Sequence, residues 1–125
     1  MIRLAGIIIL LLISLNAYAK NSGEDAQNCV SATNNNGEVT LQNNCGEKVF
    51  AIWCGDIKYT KKRCGDGPSG GFFTQSDNIG VGGTTTIHVK PNGNYSYGAC
   101  KGSISFGNDG TFKDYPSGSY TCLER

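Results

Sequence analysis

The chain has 125 residues, with 11 basic and 10 acidic side chains and a net charge of +1. This length favours one domain rather than two, and so balanced a charge gives no basis for long-range attraction to nucleic acid or an anionic membrane. Eighteen glycines and six cysteines favour turns and short, covalently cross-linked strands over helices.

The first residues predict a signal peptide. Arg3 supplies a positive charge, residues 7–15 are apolar except for Ser14, and Ala17-Tyr18-Ala19 fits the small-x-small pattern of a cleavage site. The apolar run is shorter than the ~20 residues of a membrane-spanning helix. We therefore expect residues 1–19 to be removed and the mature protein to be secreted or periplasmic.

An even number of cysteines in a small exported chain predicts disulfides, here three. A zinc site is a poor alternative, since the chain has one histidine and no C-x-x-C spacing. No metal or other cofactor is therefore expected. The candidate half-cystines are Cys29, Cys45, Cys54, Cys64, Cys100 and Cys122.

Spacing limits the possible pairings. Cys45 and Cys54 flank one predicted strand, so their Cα atoms are expected ~25 Å apart, too far for a bridge. Cys54 and Cys64 close a short loop and are good partners. Of fifteen connectivities, we favour Cys54–Cys64, Cys29–Cys122 and Cys45–Cys100.

In chain order, residues 20–28 are polar and predict a flexible lead-in, followed by a single disulfide-rich β domain over 29–125. Residues 31–37, with three consecutive asparagines, predict a loop. Alternating residues predict a strand over 39–42, and the apolar run 48–54 predicts the strongest strand. These two strands are expected to form a hairpin.

The pattern of short strands and turns continues. Residues 57–60 and 72–75 predict short strands on either side of a long loop, 61–71. Residues 84–90 alternate strongly, and Pro91-Asn92-Gly93 predicts a hairpin turn.

Further strands are predicted over 94–100, 103–106 and 119–123, with a turn at 107–110. Six to eight short strands predict an all-β fold, a small antiparallel β-sandwich or open barrel, stapled by three disulfides.

No catalytic arrangement stands out. His88 lies on the polar face of a predicted strand, and no nucleophile motif accompanies it. Two carboxylates could serve a glycosidase, but aspartate beside turn residues ordinarily binds the local backbone. The candidate carboxylates are Asp56, Asp66, Asp77, Asp109 and Asp114. We therefore expect that the protein is not an enzyme. A small hydrolase that uses these carboxylates ranks third among the functions considered, after a binding module and an inhibitor.

A basic cluster follows Cys54. If Cys54 pairs with Cys64, three of its charges crowd the end of a stapled loop, whose rigidity would lower the ordering cost of binding. A lysine or arginine there could enter the acidic pocket of a trypsin-like protease, although many charged loops are simply solvated. The cluster comprises Lys58, Lys61, Lys62 and Arg63.

Aromatic residues suggest a second binding surface. The strand 48–54 is apolar on both faces, so one face is exposed unless the strand is central and covered on both sides. An exposed face would provide a platform for a sugar or a protein. The candidate residues are Trp53, Tyr59, Phe72, Phe73, Tyr95 and Tyr97.

The run from Val39 to Cys45, with Trp53-Cys54 and Gly98-Ala99-Cys100, resembles small secreted cysteine-rich domains of bacteria. The resemblance implies export and a β fold but no activity. Asn94-Tyr95-Ser96 is an N-glycosylation sequon, relevant only in a eukaryotic source.

The sequence therefore favours a secreted or periplasmic non-catalytic binding module that recognises an extracellular protein or a glycan rather than nucleic acid or a membrane. The alternative is an inhibitor of a secreted protease or other hydrolase, acting through the loop Lys61–Arg63.

Overall fold

A computed structural model describes residues 23–102 and 112–123. The predicted signal peptide, the strand 103–106 and the turn 107–110 lie outside the described residues. Regular structure within the described ranges is almost entirely antiparallel β, and the six cysteines form three disulfides, which confirms the predicted fold class. No helix in those ranges is long and apolar enough to cross a membrane.

Eight strands lie in the described part of the chain. They are β1 (Val30–Asn35), β2 (Glu38–Asn43), β3 (Val49–Gly55), β4 (Gln75–Ile79), β5 (Thr84–His88), β6 (Tyr95–Lys101), β7 (Phe112–Asp114) and β8 (Tyr120–Cys122). One sheet has the order β1-β2-β5, a second has the order β4-β3-β6, and β7 pairs with β8 in a separate hairpin. Short 3-10 turns occupy Gln27–Cys29 and Pro68–Gly70.

The first hairpin corrects the predicted loop at residues 31–37, because β1 covers most of that segment and pairs with β2. The turn between them is Asn36-Gly37, with φ of 53° and 91°. Positive φ at both positions is what a tight two-residue hairpin needs, and Asn-Gly adopts it readily. Strand β1 is polar because it is an edge strand whose outer face meets water.

Two predicted hairpins are wrong for one reason, that the chain changes sheet. Strand β2 pairs with β1 and β5, whereas β3 lies between β4 and β6. Residues 91–93 do form a tight turn, with Gly93 N–H donating to the Lys90 carbonyl at 2.9 Å. That turn leads from β5 in one sheet to β6 in the other.

The predicted short strands beside the basic loop also differ. Ile57 makes one isolated bridge to Val89 rather than a strand over 57–60. The strand predicted at 72–75 begins at Gln75 as β4.

Strand β3 is buried on both faces. Val49, Ala51 and Trp53 join the core between the two sheets. The alternate residues Phe50 and Ile52 join a second core, which is covered by the β7–β8 hairpin. The strand is therefore central, with both faces covered.

The disulfides confirm one predicted pairing and correct two. Cys54–Cys64 is present, with Cα atoms 5.1 Å apart. Cys29 pairs with Cys45, because the β1–β2 register brings the two ends of that hairpin together. Cys100 pairs with Cys122, tying β6 to β8. Each bridge contributes about 2–4 kcal/mol to such a domain, and three bridges are consistent with an oxidising compartment.

The described part of the predicted flexible lead-in, residues 23–28, lies along β6. Ala26 N–H donates to the Ala99 carbonyl at 2.8 Å, and Lys101 N–H donates to the Glu24 carbonyl at 2.9 Å. Ala26 is fully buried. The segment thus covers the outer edge of β6, which a reading of polarity alone does not reveal.

Asn43 is a fully buried polar residue at the point where the sheets join. Its side-chain NH₂ nitrogen lies 2.9–3.0 Å from the carbonyl oxygens of Glu47, Ile79 and Gly80, among which it shares its two protons, and its Oδ1 accepts from Cys45 N–H at 2.8 Å. One side chain therefore joins the end of β2, the crossing segment and the β4–β5 turn.

Tyr120 links β8 to the rest of the domain. Its ring lies 5.9 Å from Phe73 and 6.0 Å from Phe112. Its hydroxyl donates to the Asp25 carboxylate and accepts from Ala99 N–H at 3.2 Å. Burial, reinforced by the hydrogen bond to Asp25, raises the pKa of Tyr120 well above its usual range.

We expect Asn43→Asp to lower the free energy of unfolding by about 3 kcal/mol or more, because a buried carboxylate would face three carbonyl oxygens without a proton to donate. Urea unfolding at neutral pH measures this. The control is Asn44→Asp at the exposed neighbouring residue, with an expected change within about 0.5 kcal/mol. Equal losses in the two variants would contradict the role given to Asn43.

We expect Tyr120→Phe to cost about 2 kcal/mol at neutral pH, since Ala99 N–H loses its hydroxyl partner. Because the folded-state pKa of Tyr120 lies above 10.0, this contribution is fully present below pH 10 and declines as the pH rises further. Unfolding curves at increasing pH should therefore converge for wild type and Tyr120→Phe. Tyr115→Phe serves as the control, and the difference between its free energy of unfolding and that of wild type should stay the same at every pH.

Candidate functional site

Three loops meet at one end of the sandwich, which we call the loop end: residues 34–37, 55–66 and 88–95. The strand registers explain the meeting, because Glu38 lies opposite His88 and Gly55 lies opposite Tyr95. Backbone hydrogen bonds then join the loops directly, with Val89 N–H donating to the Gly37 carbonyl at 2.7 Å.

The segment after β3 is fixed to both neighbouring loops. Asp56 N–H donates to the Asn94 carbonyl, and Lys90 N–H donates to the Asp56 carbonyl, at 2.9 and 2.8 Å. Gly55 has φ of 144°, and a side chain there would collide with the Asn94 carbonyl. Glycine at this position therefore permits the close approach of the two loops.

The basic loop, residues 58–63, is held from within as well as by the Cys54–Cys64 bridge. Lys62 N–H donates to Thr60 Oγ1 at 3.1 Å. Arg63 N–H donates to Asp66 Oδ2 at 2.8 Å, and Asp66 N–H donates back to the Arg63 carbonyl at 2.9 Å. Such local side-chain bonds fix turn geometry, so the loop is preorganised.

Asp56 is the acidic centre of this end. Its Oδ2 accepts from Asn94 N–H at 2.9 Å, and its Oδ1 lies 3.3 Å from Arg63 Nη2. The Asn94 hydrogen bond, followed by the Arg63 guanidinium, lowers the pKa of the Asp56 carboxyl. Arg63 is therefore ion-paired, whereas Lys61, Lys62 and Lys90 make no ion pair with any described residue.

Three shallow grooves lie at the loop end, and two of them border the Asp56–Arg63 pair. One of about 180 Å³ lies between the basic loop and Lys90. A second of about 540 Å³ shares Lys90 with the first, and three of its eight lining residues carry side-chain amides. A third of about 220 Å³ lies between Arg63 and Tyr95. The amides of the second groove are Asn34, Asn36 and Asn92.

Charge is concentrated at the loop end although the whole chain is nearly neutral. The described residues include eight basic and eight acidic side chains, of which five basic and two acidic lie at this end. The five basic residues are Lys58, Lys61, Lys62, Arg63 and Lys90. Net charge conceals this local positive excess.

Tyr59 is the most unusual residue at the loop end. Its side chain is 93% exposed, and its backbone has φ of 67°. Its ring lies 6.3 Å from the ring of His88 in an edge-to-face arrangement. A bulky residue in the left-handed region is strained, and such strain is concentrated at functional positions.

The other predicted aromatics do not form one platform with Tyr59. Trp53 is 8% exposed and Phe73 is 1% exposed, so neither offers a face to a partner. Tyr95 and Tyr97 stack at 6.4 Å and pack partly buried against the core between the sheets. Phe72 packs partly buried against the second core.

The candidate carboxylates do not gather around His88. Asp56 and Asp66 hold the loops described above, and Asp114 accepts from Phe73 N–H at 3.0 Å. Asp77 lies on β4 in the other sheet, and Asp109 is outside the described residues. No group of three or more metal-ligating side chains lies within residues 23–102 and 112–123.

The sequence indicated the basic loop but missed the amide groove. Asn36 and Asn92 each lie in a recognisable turn, yet only the pairing of β2 with β5 brings those turns together.

Comparison of the chain with protein-family models, curated proteins and solved structures returned no match.

We expect the NMR chemical shift of the Asn94 backbone amide to report the protonation of the Asp56 carboxyl, which accepts its hydrogen bond. Because the folded-state pKa lies below the ordinary 3.8, the interaction is present above pH 3.8 and is lost as the pH falls through that lower value. The NMR shift of the Asn94 amide should therefore move with a midpoint below 3.8. Asp56→Asn should abolish the titration, whereas Asp77→Asn should leave it unchanged; a titration surviving in Asp56→Asn would contradict the assignment.

Proposed function

We propose that this protein is a secreted, non-catalytic binding module whose partner docks on the loop end. The observation that carries the proposal is Tyr59, an aromatic side chain almost wholly in water on a strained backbone. Exposure of its apolar ring and left-handed geometry are both unfavourable in the free protein. Contact with a partner would bury the ring and so remove the unfavourable exposure of its apolar surface.

The rigidity of the surrounding loops supports the same proposal. Binding ordinarily loses free energy through the ordering of loops and side chains. Here the basic loop is already held in the free protein. The Cys54–Cys64 disulfide closes it, Asp56 fixes its start, and the side chains of Thr60 and Asp66 accept backbone hydrogen bonds within it. The carboxylates at this end serve to hold the loops, which favours recognition over chemistry.

Inhibition of a secreted protease is the second candidate, and the stapled basic loop favours it. Arg63 would have to leave its 3.3 Å contact with Asp56 to enter a protease pocket, although so exposed an ion pair costs little to break. Lys62 is exposed at the same turn and makes no ion pair with any described residue. If the protein inhibits a trypsin-like enzyme, Lys62→Ala should abolish inhibition.

We expect Tyr59→Ala to weaken partner binding about tenfold or more, because exposed aromatics dominate the energetics of such contacts. The oxidised protein can be tested by biolayer interferometry against neutral and acidic polysaccharides and against secreted hydrolases, including a trypsin-like protease. The matched control is Tyr115→Ala, since Tyr115 is 36% exposed and belongs to another part of the surface.

Wild-type binding that Tyr115→Ala retains and Tyr59→Ala loses supports the loop end. The proposal would be contradicted if Tyr59→Ala bound a partner as tightly as wild type does, or if wild type bound no member of the panel. Thermal unfolding of each variant shows whether its fold is intact, and Tyr59→Ala should not be less stable than wild type because the ring packs against little besides His88.

A further inference from the structure

We propose that the ligand of the loop end is an acidic polysaccharide, whose anionic groups meet the lysines while its hydroxyls meet the amide groove. This inference rests on the proposed function and names the chemical class of the partner. Its basis is the direct adjacency of two grooves with different chemistry, which share the single residue Lys90.

The smaller groove favours an anion. Lys61, Lys62 and Lys90 line it, and the one carboxylate within it, Asp56, already accepts from Arg63 and Asn94. The groove therefore retains uncompensated positive charge. Carboxylate or sulfate groups on a polymer would replace the missing counter-charge without displacing any bond that holds the loops.

The larger groove favours hydroxyl groups. Its lining includes three asparagines, and an amide can both donate to and accept from one sugar ring. Asn34 Oδ1 accepts from Gly37 N–H at 2.9 Å, so the donor that Asn34 would offer a ligand is its NH₂ group. Asn36 and Asn92 are held at φ of 53° and 58°, so their backbones are fixed in tight turns.

Other macromolecules fit this end less well. A protein interface usually has an apolar centre with a polar rim, whereas Tyr59 is the only large exposed hydrophobic residue of the loop end. Single-stranded nucleic acid is usually bound by several aromatic platforms that stack successive bases. Tyr59 lines neither groove but directly precedes Thr60, which lines the smaller one, and a single exposed tyrosine there suits the apolar face of one sugar ring.

The test measures binding of the oxidised chain to polygalacturonate, dextran sulfate, neutral dextran and oligo(dT) by isothermal titration calorimetry. We expect both acidic polysaccharides to bind at least about tenfold more tightly than neutral dextran. Raising the ionic strength from about 0.1 to about 1 M should weaken this binding, as the Debye length falls from about 10 to about 3 Å. The carboxylate and sulfate polymers distinguish which anion is preferred.

Two variants probe the two grooves. The combined change Lys61→Gln, Lys62→Gln and Lys90→Gln should weaken acidic-polysaccharide binding about tenfold or more, whereas Lys48→Gln with Lys113→Gln, at lysines away from the loop end, should change it less than about twofold. Asn36→Asp keeps a turn-forming residue before Gly37 but places a negative charge in the amide groove. It should weaken binding of the acidic polymers, and Asn44→Asp should not.

The outcomes separate this inference from the proposed function. Equal binding of neutral and acidic polysaccharides that depends on Tyr59 but not on the lysines would overturn the acidic class and leave the binding module standing. Oligo(dT) binding as tightly through the same lysines would show a general polyanion surface and overturn the glycan assignment. Capture of a secreted hydrolase through Tyr59, with no polysaccharide bound, would also overturn it. If nothing binds at all, both proposals fail.

Discussion

The structure depends on β3 being apolar on both faces. One set of its side chains fills the space between two sheets, and the alternate set requires a second cover, which the β7–β8 hairpin supplies. A strand with one polar face would leave that hairpin without a surface to pack on. The same strand ends at Gly55, so the position of the candidate site follows from where this doubly buried strand stops.

The sequence predicted the strands more reliably than their partners. Alternation located β2, β5 and β6, and the unbroken apolar run located β3, because burial imposes those patterns locally. Polarity concealed β1, an edge strand. Which strands pair depends on where the chain crosses between sheets, and the crossing rests on buried Asn43, whose hydrogen bonds reach Ile79 and Gly80, far along the chain. Two incorrect disulfide pairings followed from the same missing information.

The candidate site was predictable only in part. The basic loop stands out in the sequence because its charges and flanking cysteines are contiguous. Among the predicted aromatics, Tyr59 could not be separated from Trp53 or Phe73, since exposure is a property of the tertiary structure. The asparagine groove joins turns at residues 36 and 92, which no local pattern connects. Only the β2–β5 register brings these two turns together.

The Cys54–Cys64 bridge has a consequence for the loop end. Cys54 is fully buried in the second core, and Cys64 ends the basic loop, so this one bond ties the loop to the interior. Before the thiols are oxidised, the basic loop has no covalent tie to the core between Gly55 and the start of β4 at Gln75. A reduced chain would keep the hydrogen bonds that join this loop to residues 88–95 but would lack its tie to the interior, so the geometry of the proposed site depends on oxidation of this one pair.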